Sequence, residues 1–295
     1  MPRFTVFTPT YNRAKTLVRV YECLIMQTFK DFEWLIVDDG STDQTHDLII
    51  QWCADRKLDI VHVHQRNSGK HVAFNRAVAR ARGEFFVPLD SDDTCVPTAL
   101  ERFLHYWKGI PEGLLATFSG VCCHCMDEHG RRIGSPFPED IVDAWPVQFE
   151  SRWRISGEKW GFHKTDVLRE FPFPEIPGER FVPEGLIWNR IGTRYKMRFV
   201  NEALRIYKAL PDGLSSSSVR LRANNPVSTC AYYREKSKLR VPLWVRTKAC
   251  VNYSRFYFHG RRKPSGTPIR RQLSPLGVVM LPIGYAAYRL DRLRH

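Results

Sequence analysis

The sequence predicts an α/β fold, a mostly parallel sheet with helices on its faces, and three observations carry that prediction. Apolar, β-branched or aromatic stretches alternate with helically spaced segments through the first hundred residues. Turn residues punctuate the changes. Two of the apolar stretches end in aspartates, Asp38-Asp39 in LIVDDGSTD and Asp90-Ser91-Asp92-Asp93 in FFVPLDSDD. Strand-helix alternation at this pitch implies parallel strands joined by right-handed crossovers.

The elements follow in order. RFTVFTP (3–9) is a strand, and 14–27 carries Leu17, Val20, Tyr21, Leu24 and Ile25 at helical spacing. FEWLIVD (32–38) is a second strand, followed by a helix over 43–55 capped by Ser41 or Asp43. LDIVHVH (58–64), a helix over 69–81, EFFVPLD (84–90) and a helix over 97–108 complete the alternation. No GxGxxG follows the first strand, which argues against a dinucleotide-binding Rossmann domain. Beyond about residue 113 the pattern breaks into short strands and Pro-rich turns such as PFPED and FPFPEIPGERFVPEG. Long irregular stretches in a compact domain are usually functional, so this region is expected to shape a second pocket over the sheet edge. The expected organisation is 1–112, 113–220 within the same domain, and a carboxy-terminal segment 221–295.

The aspartates sit at the carboxyl ends of two strands, where open α/β sheets bind ligands. Gathered carboxylates repel one another unless a cation or hydrogen-bond donors join them. In extended chain, residues i and i+2 share a face, so Asp90 and Asp92 are expected to converge while Ser91 and Asp93 look elsewhere. The bland alternatives are a helix start at Asp92-Asp93-Thr94 and a turn at Asp39-Gly40-Ser41.

Of the formal charge of +14, nearly all belongs to residues 231–295, with 15 Lys or Arg against Glu235 and Asp291. Nucleic acid and anionic lipid both attract such a segment. Its neighbours favour lipid: Tyr232, Tyr233, Trp244, Tyr253, Phe256, Tyr257 and Phe258 interleave the charges, and LSPLGVVMLPIGYAAY (273–288) is apolar. With Pro275 and Pro282 inside, that stretch is short for a spanning helix, which needs about 20 residues. It suits a segment lying on an anionic membrane surface, with a helix packed on the protein as the alternative, and no nucleic-acid partner is expected. MPRFTVFTPTYNR runs straight into a strand, so a cytoplasmic protein with reduced thiols is expected, bound peripherally to the inner face of the membrane. Cys122-Cys123-His124-Cys125 lacks the separated second pair of a zinc site and reads as a strand entering a turn at Asp127 to Gly130.

Five motifs together resemble family 2 glycosyltransferases of the GT-A fold: TPTYNR (8–13), QTFKDFEWLIVDDGSTD (27–43), NSGKHVAFNRAV (67–78), GEFFVPLDSDD (83–93) and, more loosely, FVPEGLIWNRIG (181–192). The resemblance spans about residues 3–210. It implies a metal-dependent, inverting transfer of a sugar from a nucleotide diphosphate sugar, expected to be a UDP-sugar, to a lipid-linked or glycan acceptor. Thr8, Pro9 and Tyr11 would line the base pocket, with Arg13 nearby and Asp39 accepting from a uracil-type imide. Gly69 and Lys70 would lie near the diphosphate, Asp90 at the ribose or a metal-bound water, and Asp92 on Mn2+ or Mg2+. Glu184 matches the general base, although the usual motif has two successive acidic residues and this chain has Gly185 second. His163 and Asp166 are lesser candidates for the base, and Asp212 for a further metal ligand.

Two other classes compete. A sugar nucleotidyltransferase should carry a Gly-rich basic loop after the first strand, and TPTYNR has no glycine. A basic nucleic-acid-binding protein with a degenerate transferase body should have lost the aspartate clusters, which are intact.

Overall fold

The four strands expected from the amino-terminal alternation lie side by side in parallel. In the computed structural model, which describes residues 1–148, 153, 155–208, 218–261 and 273–294, these are β1 (Phe4–Thr10), β2 (Phe32–Asp38), β3 (Ile60–His64) and β4 (Phe85–Pro88). Helices α1 (Ala14–Ile25), α2 (Thr45–Asp55) and α3 (Lys70–Arg80) connect them. Strand β2 is buried along its whole length, as expected of a strand covered on both faces. On one face Trp34 meets Tyr21 of α1 and Trp52 of α2, whose rings stack at 4.4 Å. On the other, Phe74 of α3 packs edge-on to Phe7 and Phe86.

A two-residue strand β5 (Thr94–Cys95) and α4 (Ala99–Lys108) follow, then β6 (Phe118–Met126), β7 (Ile141–Ala144), β8 (Lys159–Lys164) and β9 (Lys196–Ile206). The sheet order is β3-β2-β1-β4-β8-β6-β9-β5, with β7 on β9. Beyond β4 it turns mixed, because β8 runs antiparallel to both β4 and β6. Strand pleating separates the Cys122 to Cys125 run: Cys123 and Cys125 join the main core, while Cys122 and His124 face the cluster around Phe137. Burial raises the Cys122 thiol to about 12, as befits a packed, inert side chain.

The chain divides into two compact units, Met1–Pro172 with Ile191–Leu210, and Phe173–Arg190 with Pro211–His295. Strands β6 to β9 complete the sheet begun by β1 to β4, so that sheet runs through both segments expected to share one domain.

The second unit is helical: α6 (Gly185–Gly192) begins within it, and α7 (Ser218–Asn224), α8 (Pro226–Lys238), α9 (Leu243–Gly260), α10 (Pro275–Val279) and α11 (Leu281–Arg294) follow; α5 (Thr165–Glu170) belongs to the first. Segment 173–190 is tied to α8 by the buried Glu179 carboxylate, which accepts from the backbone N–H groups of Val227 (2.6 Å) and Ser228 (2.8 Å) at the start of that helix. The stretch 273–288 forms α10 and part of α11 and packs on α9. Gly284, Tyr288 and Asp291 make the buried stripe of α11, with Asp291 paired to Arg255 and His259. The outward stripe exposes Ile283, Leu290 and Leu293. No helix among the described residues is long and apolar enough to cross a membrane.

His163 of β8 yields a pH prediction. Burial pushes its imidazole down to about 4, whereas an unfolded histidine titrates near 6.5. A folded-state value below the unfolded one means that stability is intact above about pH 6.5 and lost as pH falls toward 4. Between pH 7 and pH 5 the loss should be about 2 kcal/mol of unfolding free energy. Urea denaturation at the two pH values should show a shallower decline for His163→Gln than for the parent. Equal declines would mean that the folded imidazole protonates normally.

Candidate active site

Parallel register builds the site. Thr10 lies opposite Asp38 and Asp38 opposite His64, so the carboxyl ends of β1, β2 and β3 share one edge. The backbone N–H of Asp39 bonds to Thr10 O and that of Gln65 to Asp38 O, extending the ladder by one residue. The Asp39 carboxylate accepts from Gln65 Nε2 (2.6 Å), Ser68 N (2.8 Å) and Gly69 N (2.8 Å). It thereby folds the 65–69 loop around itself. Two glycines make this loop possible. Gly69, at φ +97°, turns the chain into α3, and a Cβ on Gly40, at φ +81°, would sit 2.9 Å from Asn67 N.

The TPTYNR turn is latched to the same edge. Asn12, at φ +52°, accepts on its side-chain oxygen from Thr42 N (2.7 Å) and Asp43 N (3.3 Å), and its own N–H bonds to Ser41 Oγ. Arg13 N bonds to Thr45 Oγ1. Tyr11 stays 48% exposed, and Pro9 is half-buried. Thr8 is fully buried, its hydroxyl accepting from the Trp34 indole, so its side chain belongs to the core.

The second cluster is a turn and not extended chain, closed by Asp93 N to Asp90 O (3.1 Å). The i, i+2 argument for extended chain therefore does not apply, although Asp90 and Asp92 stay close enough for the charge of one to act on the other. Nor does the cluster start a helix, since β5 pairs with β9 before α4 begins at Ala99. Lys70, the first residue of α3, holds both Asp90 oxygens at 2.7 and 3.0 Å. Burial raises the Asp90 carboxyl, but the charge and hydrogen bonds of Lys70, with Arg205 behind, hold it below its ordinary value. Asp93 turns inward, 2% exposed, to the Arg205 guanidinium at 3.3 Å. Burial dominates there and pushes Asp93 up to about 7. Asp92 is half-buried, and burial followed by the charge of Asp90 raises its carboxyl, only partly offset by Arg13 and Lys70.

Arg205 and Arg19, whose guanidinium bonds to Asp92 O at 2.9 Å, were not singled out in the sequence. Arg19 lies on the helix following TPTYNR, and its cationic end is the one available signal. Arg205 is more than a hundred residues from its partner and gave none.

The structure thus brings Asp39, Gly69, Lys70, Asp90 and Asp92 to the edge formed by β1, β2 and β4. Glu184 belongs to the second unit, exposed immediately before α6, where its backbone oxygen accepts from Ile187 and Trp188. His163 and Asp166 lie in the first unit, the former half-buried on β8 and the latter exposed on α5 and paired to Arg169. Asp212 lies outside the described residues.

Comparison with known proteins agrees with this architecture. The Glycosyl transferase family 2 model matches residues 5–149. The chain is 36% identical to the putative teichuronic acid biosynthesis glycosyltransferase TuaG of Bacillus subtilis, over 81% of this chain and 90% of that protein. An uncharacterized glycosyltransferase of Nostoc sp. is 37% identical over 70% of this chain, and the chain spans 64% of that relative's length. Among solved structures, residues 1–349 of S. aureus TarS in complex with UDP-GlcNAc superpose with a TM-score of 0.62 at 20% identity, covering 99% of this chain and 84% of that TarS chain. The mannosyltransferase PcManGT of Pyrobaculum calidifontis, in complex with GDP-Man and Mn2+, gives 0.58 at 18% identity, covering 100% and 76%. The sheet order, the matched motifs and these likenesses agree: the chain is a glycosyltransferase of family 2 with the GT-A fold.

Proposed function

We propose that the chain transfers a sugar from a UDP-sugar to a lipid-linked or glycan acceptor with inversion, using Mn2+ or Mg2+. The observation that carries this reading is the uneven compensation of the carboxylates at the sheet edge. Asp90 is paired to Lys70 and Asp93 to Arg205, while Asp92 makes no ion pair among the described residues and its carboxyl is raised. A half-buried carboxylate with surplus negative charge nearby fits a hard divalent cation, whose preferred ligands are oxygens. Such a cation, when bound, would offset charge on the departing diphosphate.

The remaining roles fall to the chain's own residues. A carboxylate offers about four lone-pair sites, so the three donors on Asp39 leave room for one more from a base imide. Tyr11 and Pro9 would flank that base, with Arg13 beside it. Gly69 lets backbone approach the diphosphate, and Lys70 steadies Asp90 at the ribose while adding positive charge. Glu184 would take the proton of the acceptor hydroxyl as it attacks the anomeric carbon. A single displacement of this kind inverts the centre. TuaG, named for teichuronic acid biosynthesis, and the nucleotide sugars in TarS and PcManGT support a polysaccharide setting and a nucleotide-sugar donor.

Two substitutions separate donor from acceptor chemistry. Asp92→Ala should lose Mn2+-dependent UDP-sugar hydrolysis and transfer by several orders of magnitude with the fold intact. Glu184→Gln should keep UDP-sugar affinity and depress transfer by roughly two to four orders of magnitude. Screening UDP- and GDP-sugars by calorimetry and product assay reads both; near-normal turnover of Asp92→Ala with Mn2+ would remove it from the metal site, and unchanged transfer by Glu184→Gln would move the base to another group.

The carboxy-terminal helices are proposed to hold the protein peripherally on the cytoplasmic face of a membrane. In support, α11 buries one stripe and exposes Ile283, Leu290 and Leu293 beside Arg289 and Arg292. Each Lys or Arg near an anionic surface contributes on the order of 1 kcal/mol. The full-length protein should float with anionic liposomes at low salt and detach as salt screens the attraction; removal of 273–295 should weaken flotation and spare donor binding. Retention in the soluble fraction at low salt would leave α11 as a packing element alone.

A further inference from the structure

Three histidines gather beside the aspartate that the donor reading leaves unused. Asp38 closes β2 with its carboxylate fully buried. His64, its neighbour in register on β3, points Nδ1 at Asp38 Oδ2 from 3.2 Å, and His46, in the first turn of α2, does so from 3.9 Å. The three ligand atoms lie within 4.8 Å of one another. His62, two residues before His64 and on the same face of β3, has its ring 5.1 Å from that of His46.

Hydrogen bonding accounts for only part of this arrangement. Asp38 Oδ1 accepts from Ser41 N at 2.9 Å, and Oδ2 is shared with His64. His46 Nδ1 is buried and has no hydrogen-bond partner, although it faces Oδ2 at a distance beyond hydrogen-bond range. A nitrogen and an oxygen on one tetrahedral ion at 2.0–2.1 Å stand about 3.3 Å apart. The observed 3.2 and 3.9 Å bracket that separation. The side chains of His46 and His64 are 44% and 50% exposed, so an ion has an entry path and a position for water.

We propose that Asp38, His46 and His64 form a transition-metal site, distinct from the cation at Asp92, with water as fourth ligand. The ligand chemistry decides the class: two imidazoles and one carboxylate suit Zn2+ or Co2+, whereas Mg2+ and Mn2+ favour oxygen donors. His64 would ligate through the Nδ1 lone pair, its proton residing on Nε2. Because Gln65 N bonds to Asp38 O and Gln65 Nε2 to Asp39, the ion would clamp β2, β3 and α2 behind the loop that Asp39 organises.

The test is Co2+ and Zn2+ titration of the full-length metal-stripped protein in four forms: parent, His46→Ala, His64→Ala and Asp92→Asn. The parent and Asp92→Asn should bind one Co2+ with the intense visible absorption of a four-coordinate ion, displaced by Zn2+. Loss of a direct ligand should weaken binding by more than the roughly 10- to 100-fold that loss of an outer partner costs. Zn2+ should raise the melting temperature of the parent and not of either histidine variant. Circular dichroism of the metal-free variants shows whether they fold; if His64→Ala does not, His46→Ala, in a partly exposed first helical turn, decides alone. Absence of Co2+ binding by the parent, undiminished affinity in His46→Ala, or loss of the signal in Asp92→Asn would each overturn the site.

Discussion

Everything at the functional edge follows from one constraint: parallel register delivers several carboxylates to one place, and each must be matched by charge or donors. Asp38 is met by a backbone N–H and a histidine, Asp39 by three donors of one loop, Asp90 by Lys70 and Asp93 by Arg205. An uncompensated buried carboxylate costs far more than any one of these contacts contributes. The edge is accordingly built from residues drawn from α1, α2, α3, β9 and the intervening loops. Within the second cluster Asp92 is the member whose matching is least complete, which is why the cation proposed for the diphosphate belongs there and not at Asp90 or Asp93.

Matching charge also fixes shape. Asp39 cannot satisfy its oxygens without folding 65–69 over itself, and that fold needs Gly40 small and Gly69 at positive φ. Asn12 in turn cannot hold Thr42 and Asp43 without the left-handed conformation that asparagine tolerates. The loops after β1, β2 and β3 therefore form one hydrogen-bonded body. Such a body is held ready for the proposed nucleotide sugar, so less binding free energy would be spent on ordering it.

Much of this was legible in the sequence, for identifiable reasons. Strand periods, the sharp endings of FEWLIVD and EFFVPLD, and the two aspartate clusters are local signals, and local signals determined β1 to β4 and the placement of Asp39, Asp90 and Asp92. The turn at Asp90–Asp93 was misread as extended because the period-2 argument has no force once the strand has ended at Pro88. Arg205 was invisible because its partner is distant in sequence. The histidines were invisible as a set because β3 contributes two and α2 one, and nothing in LDIVHVH points toward α2. The union of 173–190 with the carboxy-terminal helices is hidden for a similar reason: Glu179 holds the start of α8 and Asn225, just before that helix, accepts from Arg180 and Phe181, bonds no composition shift announces.

The same logic of matched charge separates the two ends of the chain. Residues up to 230 carry nearly balanced charge, whereas 231–295 carry 15 cations against two acids. Both acids are already engaged, Glu235 by Arg190 and Asp291 by Arg255 and His259. These pairs therefore use up the negative charge of this segment, one of them on Arg190 outside it, and leave a cationic surplus that no residue within it can neutralise. Self-repulsion of that surplus opposes compaction of the helices, and their small core of Cys230, Tyr253 and Phe256 must work against it. A surface that carries such a cost is easier to understand if an anionic partner relieves it, and the apolar stripe of α11 beside Arg289 and Arg292 gives that partner the character of a lipid surface.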